Sequence, residues 1–227
     1  MTERPDSVAV DVFPEAAAHF LLQGAAGAIE VATETPAAGV RRGVALICHP
    51  HPLHGGSMQN KVVTTAERAL RELGLRTLRF NFRGVGQSQG VFDEGNAESE
   101  DVLLIARWLR SVRPGDAIFL VGFSFGAYVA IKAAAQIAPV QLISLAPPVG
   151  RWDFDSITLP ECPWLVIQPE ADEVVDVQAV YQWAARLSDR IDLVRMPATS
   201  HFFHGQLPAL RAAIQTHMRA PLPALEA

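Results

Sequence analysis

The stretch that most limits how this chain can fold is Val121-Gly122-Phe123-Ser124-Phe125-Gly126. The apolar run Ala117 to Val121 leads into it, and the small-residue segment Ala127 to Ala135 leads out. Strand, Gly-x-Ser-x-Gly, helix is the pattern of a nucleophile elbow. So tight a turn predicts a strained backbone at Ser124. It also predicts glycine at 122 and 126, where a Cβ would jam the strand against the helix. The turn lifts the Ser124 hydroxyl clear of a sheet. It aims the N-terminus of the next helix, with the Phe125 N–H, at the space beside that hydroxyl.

A strand entering such a turn needs a core around it. With 227 residues, 49% of them hydrophobic, the chain can build one α/β domain, and a single domain over residues 1–227 is expected. The net charge of −5 comes without a basic block, so neither nucleic acid nor a membrane surface is an expected partner. Met1 to Asp6 is polar, unlike the apolar centre of a signal peptide, and no apolar run reaches the ~18 residues of a membrane span. Cys48 and Cys162 lie far apart and read as reduced thiols. The expectation is a cytoplasmic protein.

Around the elbow, strands and helices alternate. His19 to Gln23 and Ala28 to Thr33 read as an N-terminal antiparallel hairpin. Gly43 to Cys48 is a continuous apolar run, as in a strand buried on both faces. The helix carrying Val62, Val63, Ala66, Leu70 and Leu73 stops at Gly74, and Leu75 to Phe82 is the next strand. A helix from about Ala97 to Val112 precedes the elbow. After it come strands at Val140–Leu145, Trp164–Ile167 and Ile191–Met196. A helix capped by Asp176 runs to about Leu187, and a last helix from Gln206 to about Met218. The tail from Pro221 is expected to fray. This order predicts a mostly parallel twisted sheet with helices on both faces.

A serine nucleophile needs a base for its proton and an acid to orient the base, and such groups gather at the carboxyl ends of parallel strands. The loop after Ile167 offers Glu170, Asp172, Glu173 and Asp176; the loop after Met196 offers His201 and His204. Asp176 is explained as a helix cap, and Glu170 and Glu173 as solvated loop charges, which leaves Asp172 as the acid. His201 lies nearer the strand end than His204 and is the expected base. Ser, Asp and His then follow in that chain order. Phe125 and His51 are the expected N–H donors to an oxyanion, with Gly55 and Gly56 as alternatives to His51. Trp152, Phe154 and Phe202, in loops after strands, are candidates for lining a substrate pocket. A rival reading uses His49, His51 and His54 as zinc ligands. Leu53 stands where such a metallo-hydrolase pattern carries Asp, so neither metal nor cofactor is expected.

The stretches His49-Pro50-His51-Pro52-Leu53-His54-Gly55-Gly56-Ser57-Met58-Gln59-Asn60-Lys61-Val62-Val63, Leu78 to Ser88, Gly122 to Tyr128, Ala146-Pro147-Pro148, Ala171 to Val175 and His201-Phe202-Phe203-His204-Gly205 together resemble a known family. Between Gly43 and Gly205 the chain resembles small lid-less bacterial α/β-hydrolases, distantly similar to dienelactone hydrolases and carboxylesterases. The resemblance implies an α/β-hydrolase fold without a lid domain. It also implies a Ser124–Asp172–His201 triad and cleavage of a small-molecule ester with no cofactor. One departure is Pro169, where family members tend to carry Gly; it bears on how the loop holding Asp172 is placed. A non-catalytic binding protein on the same fold is the alternative from another class.

Overall fold

The computed structural model describes residues 11–187 and 189–226. Eight strands form one sheet in the order β1-β2-β4-β3-β5-β6-β7-β8. Strands β1 (Ala18–Gly24) and β2 (Gly27–Glu34) are the expected antiparallel hairpin, and β2 also runs antiparallel to β4 (Arg76–Phe80). From β4 onward every pairing is parallel, through β3 (Gly43–Cys48), β5 (Ala117–Phe123), β6 (Gln141–Leu145), β7 (Trp164–Pro169) and β8 (Ile191–Met196). Parallel neighbours need crossover helices, and these cover both faces. Alternate strand residues feed two cores. Val44, Leu46, Ile118 and Leu120 pack towards α2 (Asn96–Val112), α3 (Phe125–Ile137) and α4 (Val177–Arg186). Ala45, Ile47, Phe119 and Val121 pack towards α1 (Lys61–Glu72) and α5 (Leu207–Thr216). Double burial explains why β3 reads as an unbroken apolar run and β7 as one from Trp164 to Ile167, whereas β4 buries Arg76, Thr77 and Arg79 and the half-exposed edge strand β8 carries Asp192 and Arg195.

Strand β4 stops two residues short of the predicted Phe82, because the Phe82 N–H leaves the sheet to reach His49 Nε2 at 2.9 Å. Residues 146–163, between β6 and β7, form turns and one isolated bridge, with no helix and hence no lid domain. Among the described residues no helix is long and apolar enough to cross a membrane.

The tail does not fray as expected. Ala224 accepts the Arg42 N–H at 2.9 Å, and the Glu226 N–H reaches the Val40 carbonyl at 2.8 Å. The Glu226 carboxylate closes on both Arg76 Nη atoms, at 2.6 and 2.7 Å, and also meets Arg113. The reason is Arg76. Its side chain is only 2% exposed at the start of β4, and a buried guanidinium requires an anion.

Candidate active site

The elbow follows β5. Ser124 has φ 53° and ψ −121°, a conformation that L-residues avoid, and its side chain makes no helix cap. The flanking glycines are steric requirements. A Cβ on Gly122 would stand 2.2 Å from the Gly126 carbonyl oxygen, and one on Gly126 would stand 2.4 Å from the carbonyl oxygens of Cys48 and His49. The turn is thus wedged between its own helix and the end of β3.

Two further loops bring side chains to Ser124. His201 Nε2 lies 3.1 Å from Ser124 Oγ, and its Nδ1 lies 2.9 and 3.1 Å from the two oxygens of Asp172. Because a carboxylate only accepts, Nδ1 carries the proton and Nε2 turns its lone pair to the serine. Asp172 Oδ1 also accepts the N–H groups of Val174 and Val175 at 2.9 and 2.8 Å. The His201 and Asp172 side chains are 2% and 0% exposed. Burial works to raise the Asp172 carboxyl. The hydrogen bond and charge of His201, with the Val175 and Val174 amides, outweigh it and hold the group below the ordinary carboxylate range. Pro169 ends β7 opposite Met196, and the loop beyond it still delivers Asp172 to His201.

The remaining candidates sort by direction. His204 is exposed, its ring 6.0 Å from that of Phe202, whereas His201 and Phe203 are buried. Asp176 caps α4 by accepting from Gln178 and Ala179. Glu170 reaches Tyr181 at the surface. Glu173 is more than a solvated charge: its Oε2 accepts the backbone N–H of His201 at 3.0 Å. The polarity of the loop gave no hint of this, because the bond depends on how two separate loops meet.

Across the serine lies the loop after β3. His49 is wholly buried and both its ring nitrogens are engaged, Nε2 by the Phe82 N–H and Nδ1 against the Pro50 carbonyl at 2.6 Å. Burial brings it down to about 4. It is a structural residue, unavailable to a metal. His51 and His54 stack face to face, 4.4 Å apart at 14°, which does not converge their in-plane lone pairs. Among the described residues no group of three or more His, Cys, Asp or Glu could hold a metal ion. His51 Nδ1 accepts the Leu53 N–H at 3.3 Å, and burial, His54 and Arg151 lower its proton affinity. The Gly56 N–H is taken by the His51 carbonyl at 3.0 Å, which removes Gly56 as an alternative oxyanion donor. The first amide of α3, on Phe125, lies where a helix has no acceptor of its own.

These groups enclose a cavity of about 140 Å³ lined by Ser124, His201, His51, His54, Phe202 and Val174. Phe202 therefore faces the cavity, and it is 39% exposed. Trp152 does not line it. It stands one layer behind, stacked on Tyr128 at 5.4 Å and 5.8 Å from the His51 ring. Phe154 corrects the sequence reading: it is 5% exposed and packs between Tyr128 and Trp183 in the core. A larger depression of about 740 Å³ lies at the opposite ends of the strands, lined mainly by alanine and proline.

Known proteins resemble this chain over most of its length. The alpha/beta hydrolase family matches residues 45–226. The XC6422 protein of Xanthomonas campestris, an α/β serine hydrolase without a lid, is 52% identical; the match covers 95% of this chain and 99% of that one, with a TM-score of 0.90. An α/β serine hydrolase homologue from Coxiella burnetii is 45% identical over 91% of this chain and 100% of its own, with a TM-score of 0.87. Protein RP471 of Rickettsia prowazekii, itself uncharacterized, is 34% identical over 185 residues, 77% of this chain and 78% of that protein.

Proposed function

The chain belongs to the α/β-hydrolase family, and from that premise we propose that it is a single-domain serine hydrolase of small carboxylic esters. Ser124 Oγ attacks the ester carbonyl as His201 Nε2 takes its proton. Asp172 holds the tautomer of His201 and stabilises the imidazolium that forms. The Phe125 and His51 N–H groups receive the charge that develops on the carbonyl oxygen. His201 returns its proton to the departing alcohol, leaving an acyl group on Ser124. Water, activated by His201, then hydrolyses the acyl-enzyme. The substrate is a small molecule, and no metal or cofactor enters any step. The unpaired thiols of Cys48 and Cys162 suit the reducing cytoplasm, where we place the protein.

The observation that carries this reading is the hydrogen-bonded line from Ser124 through His201 to Asp172, ending on a serine in a strained backbone. Strain of this kind costs about 1–3 kcal/mol, and a protein that only binds gains nothing from it. A fluorophosphonate probe tests the reading. It should label the protein at Ser124, and Ser124→Ala should abolish both labelling and ester turnover while the protein stays folded. Labelling that persists on another serine would sink the assignment.

A further inference from the structure

This inference rests on the serine-hydrolase reading and concerns how its acid is held. Asp172 is fully enclosed, and a buried carboxylate stays ionised only if donors surround it. Val174 and Val175 supply two from the same loop, and His201 supplies the third. The fourth comes from a strand. Gln168, in β7, places Nε2 at 3.2 Å from Asp172 Oδ2 and at 3.0 Å from the Pro169 carbonyl. Its side chain is wholly buried, and its Oε1 finds no partner among the described residues. Buried amide oxygens are normally satisfied. Turning this amide over would set its oxygen against a carboxylate and a carbonyl, so two acceptors lock it in one orientation and leave the oxygen bare.

We propose that Gln168 is a positioning residue of the active site: its amide nitrogen fixes the rotation of the Asp172 carboxylate, and so the direction in which His201 faces Ser124. It touches neither the substrate nor the reacting atoms. It anchors the acid to the sheet rather than to a loop alone, and it draws off part of the Oδ2 charge that otherwise acts on His201. Other charged groups nearby are Glu173, on the His201 backbone N–H, Arg151, on the Val174 carbonyl, Glu170, which accepts from Tyr181, and Arg195, the cross-strand neighbour of Gln168 in β8, which lies over the Tyr181 ring. The hydrogen bonds of the amide go to Asp172 and the Pro169 carbonyl, not to any of these.

Gln168→Met keeps the length of the side chain and removes the donor. With a short ester, kcat should fall about tenfold, the loss of one charge-assisted hydrogen bond, with KM changed less than about twofold. The acid limb of kcat/KM should move to higher pH, because His201 then faces an undivided carboxylate. In the free protein, the low-field proton on His201 Nδ1 should move further downfield. A merely structural amide would lower Tm and leave both the limb and the resonance where they were. Gln168→Glu, isosteric with the native residue, provides the second arm. Its carboxyl donates only while it shares a proton with Asp172, so activity should come nearest to native just above the acid limb and fall further below native as pH rises. Native kcat with an unmoved resonance in Gln168→Met, or full activity at high pH in Gln168→Glu, would overturn the proposal. If the native protein neither turns over esters nor takes the fluorophosphonate label, the hydrolase reading fails by itself. The resonance needs no substrate and still decides whether Gln168 governs the bond between Asp172 and His201.

Discussion

Ser124, His201 and Asp172 are separated by long stretches of chain, yet each sits just beyond the end of a parallel strand. Two histidines three residues apart then meet opposite fates. His201 faces inward to Ser124 Oγ, whereas His204 is exposed beside Phe202. Removing His201, the base we propose, should cost on the order of 10⁴ or more in kcat, since a serine hydroxyl without a base is a poor nucleophile. His204→Ala should leave kcat within about threefold of native, as a solvated rim residue has no proton to carry. Steady-state kinetics on both variants check this, and the reverse ranking would move the base to His204. Chain order and distance from strand ends made these residues legible in the sequence. The supporting bonds were not legible: the Glu173 carboxylate on the His201 amide and the Gln168 amide on the acid depend on side-chain paths that no spacing encodes. Phe154 shows the same gap from the other side, since an aromatic in a loop looks the same in sequence whether it turns to the pocket or to Trp183.

Among the elements, α4 and the β6–β7 connection do separable jobs. Asp176 accepts two amides at the start of α4 and touches nothing in the site, so Asp176→Ala should lower stability by about 1 kcal/mol in a urea melt and leave kcat unchanged. Loss of turnover without loss of stability would recast it as the acid. The connection of residues 146–163 carries no helix, and the cavity beside Ser124 holds about 140 Å³. Each methylene left outside it forgoes ~0.8 kcal/mol of burial. Activity on an ester series should therefore peak at short acyl chains of roughly two to six carbons. A steady rise of kcat/KM through long chains would mean that another segment covers the site. The elements themselves were legible because strands such as β3 are single apolar runs and the crossover helices repeat their apolar positions at helical spacing. Their neighbours in the sheet were not. Nothing local to Gly43–Cys48 says that it lies between β4 and β5.

At the scale of the whole molecule, chemistry and anchorage occupy opposite ends of the sheet. The carboxyl ends of the strands hold the site; near the other end, Glu226 closes on Arg76 and Arg113. The sequence misled here because a short, proline-rich terminus has no pattern of its own, and its anchor is a buried charge far away. The hydrogen bond to Arg76, followed by the charges of Arg76 and Arg113, holds the Glu226 carboxyl below its ordinary value, against the opposing effect of burial. A depressed folded value means that the bond contributes fully above the unfolded carboxyl value of ~4.3 and is lost as pH falls through the folded one. Glu226→Gln should thus lower stability at neutral pH by about 1–3 kcal/mol, and the gap to the native protein should close in acid. Urea melts across pH measure this, and a constant gap would contradict it. The pairing also sets an order of events during synthesis. Arg76 leaves the ribosome 150 residues ahead of Glu226. Until then the guanidinium's only ion-pair partner among the described residues is Glu15, an exposed carboxylate 3.7 Å away, and β4 cannot settle inside the sheet with its two close hydrogen bonds made. The strands that carry Ser124, Asp172 and His201 are therefore all translated before the charge that locks the sheet has arrived, and a nascent chain cut short of Glu226 displays its strained serine on an unfinished foundation.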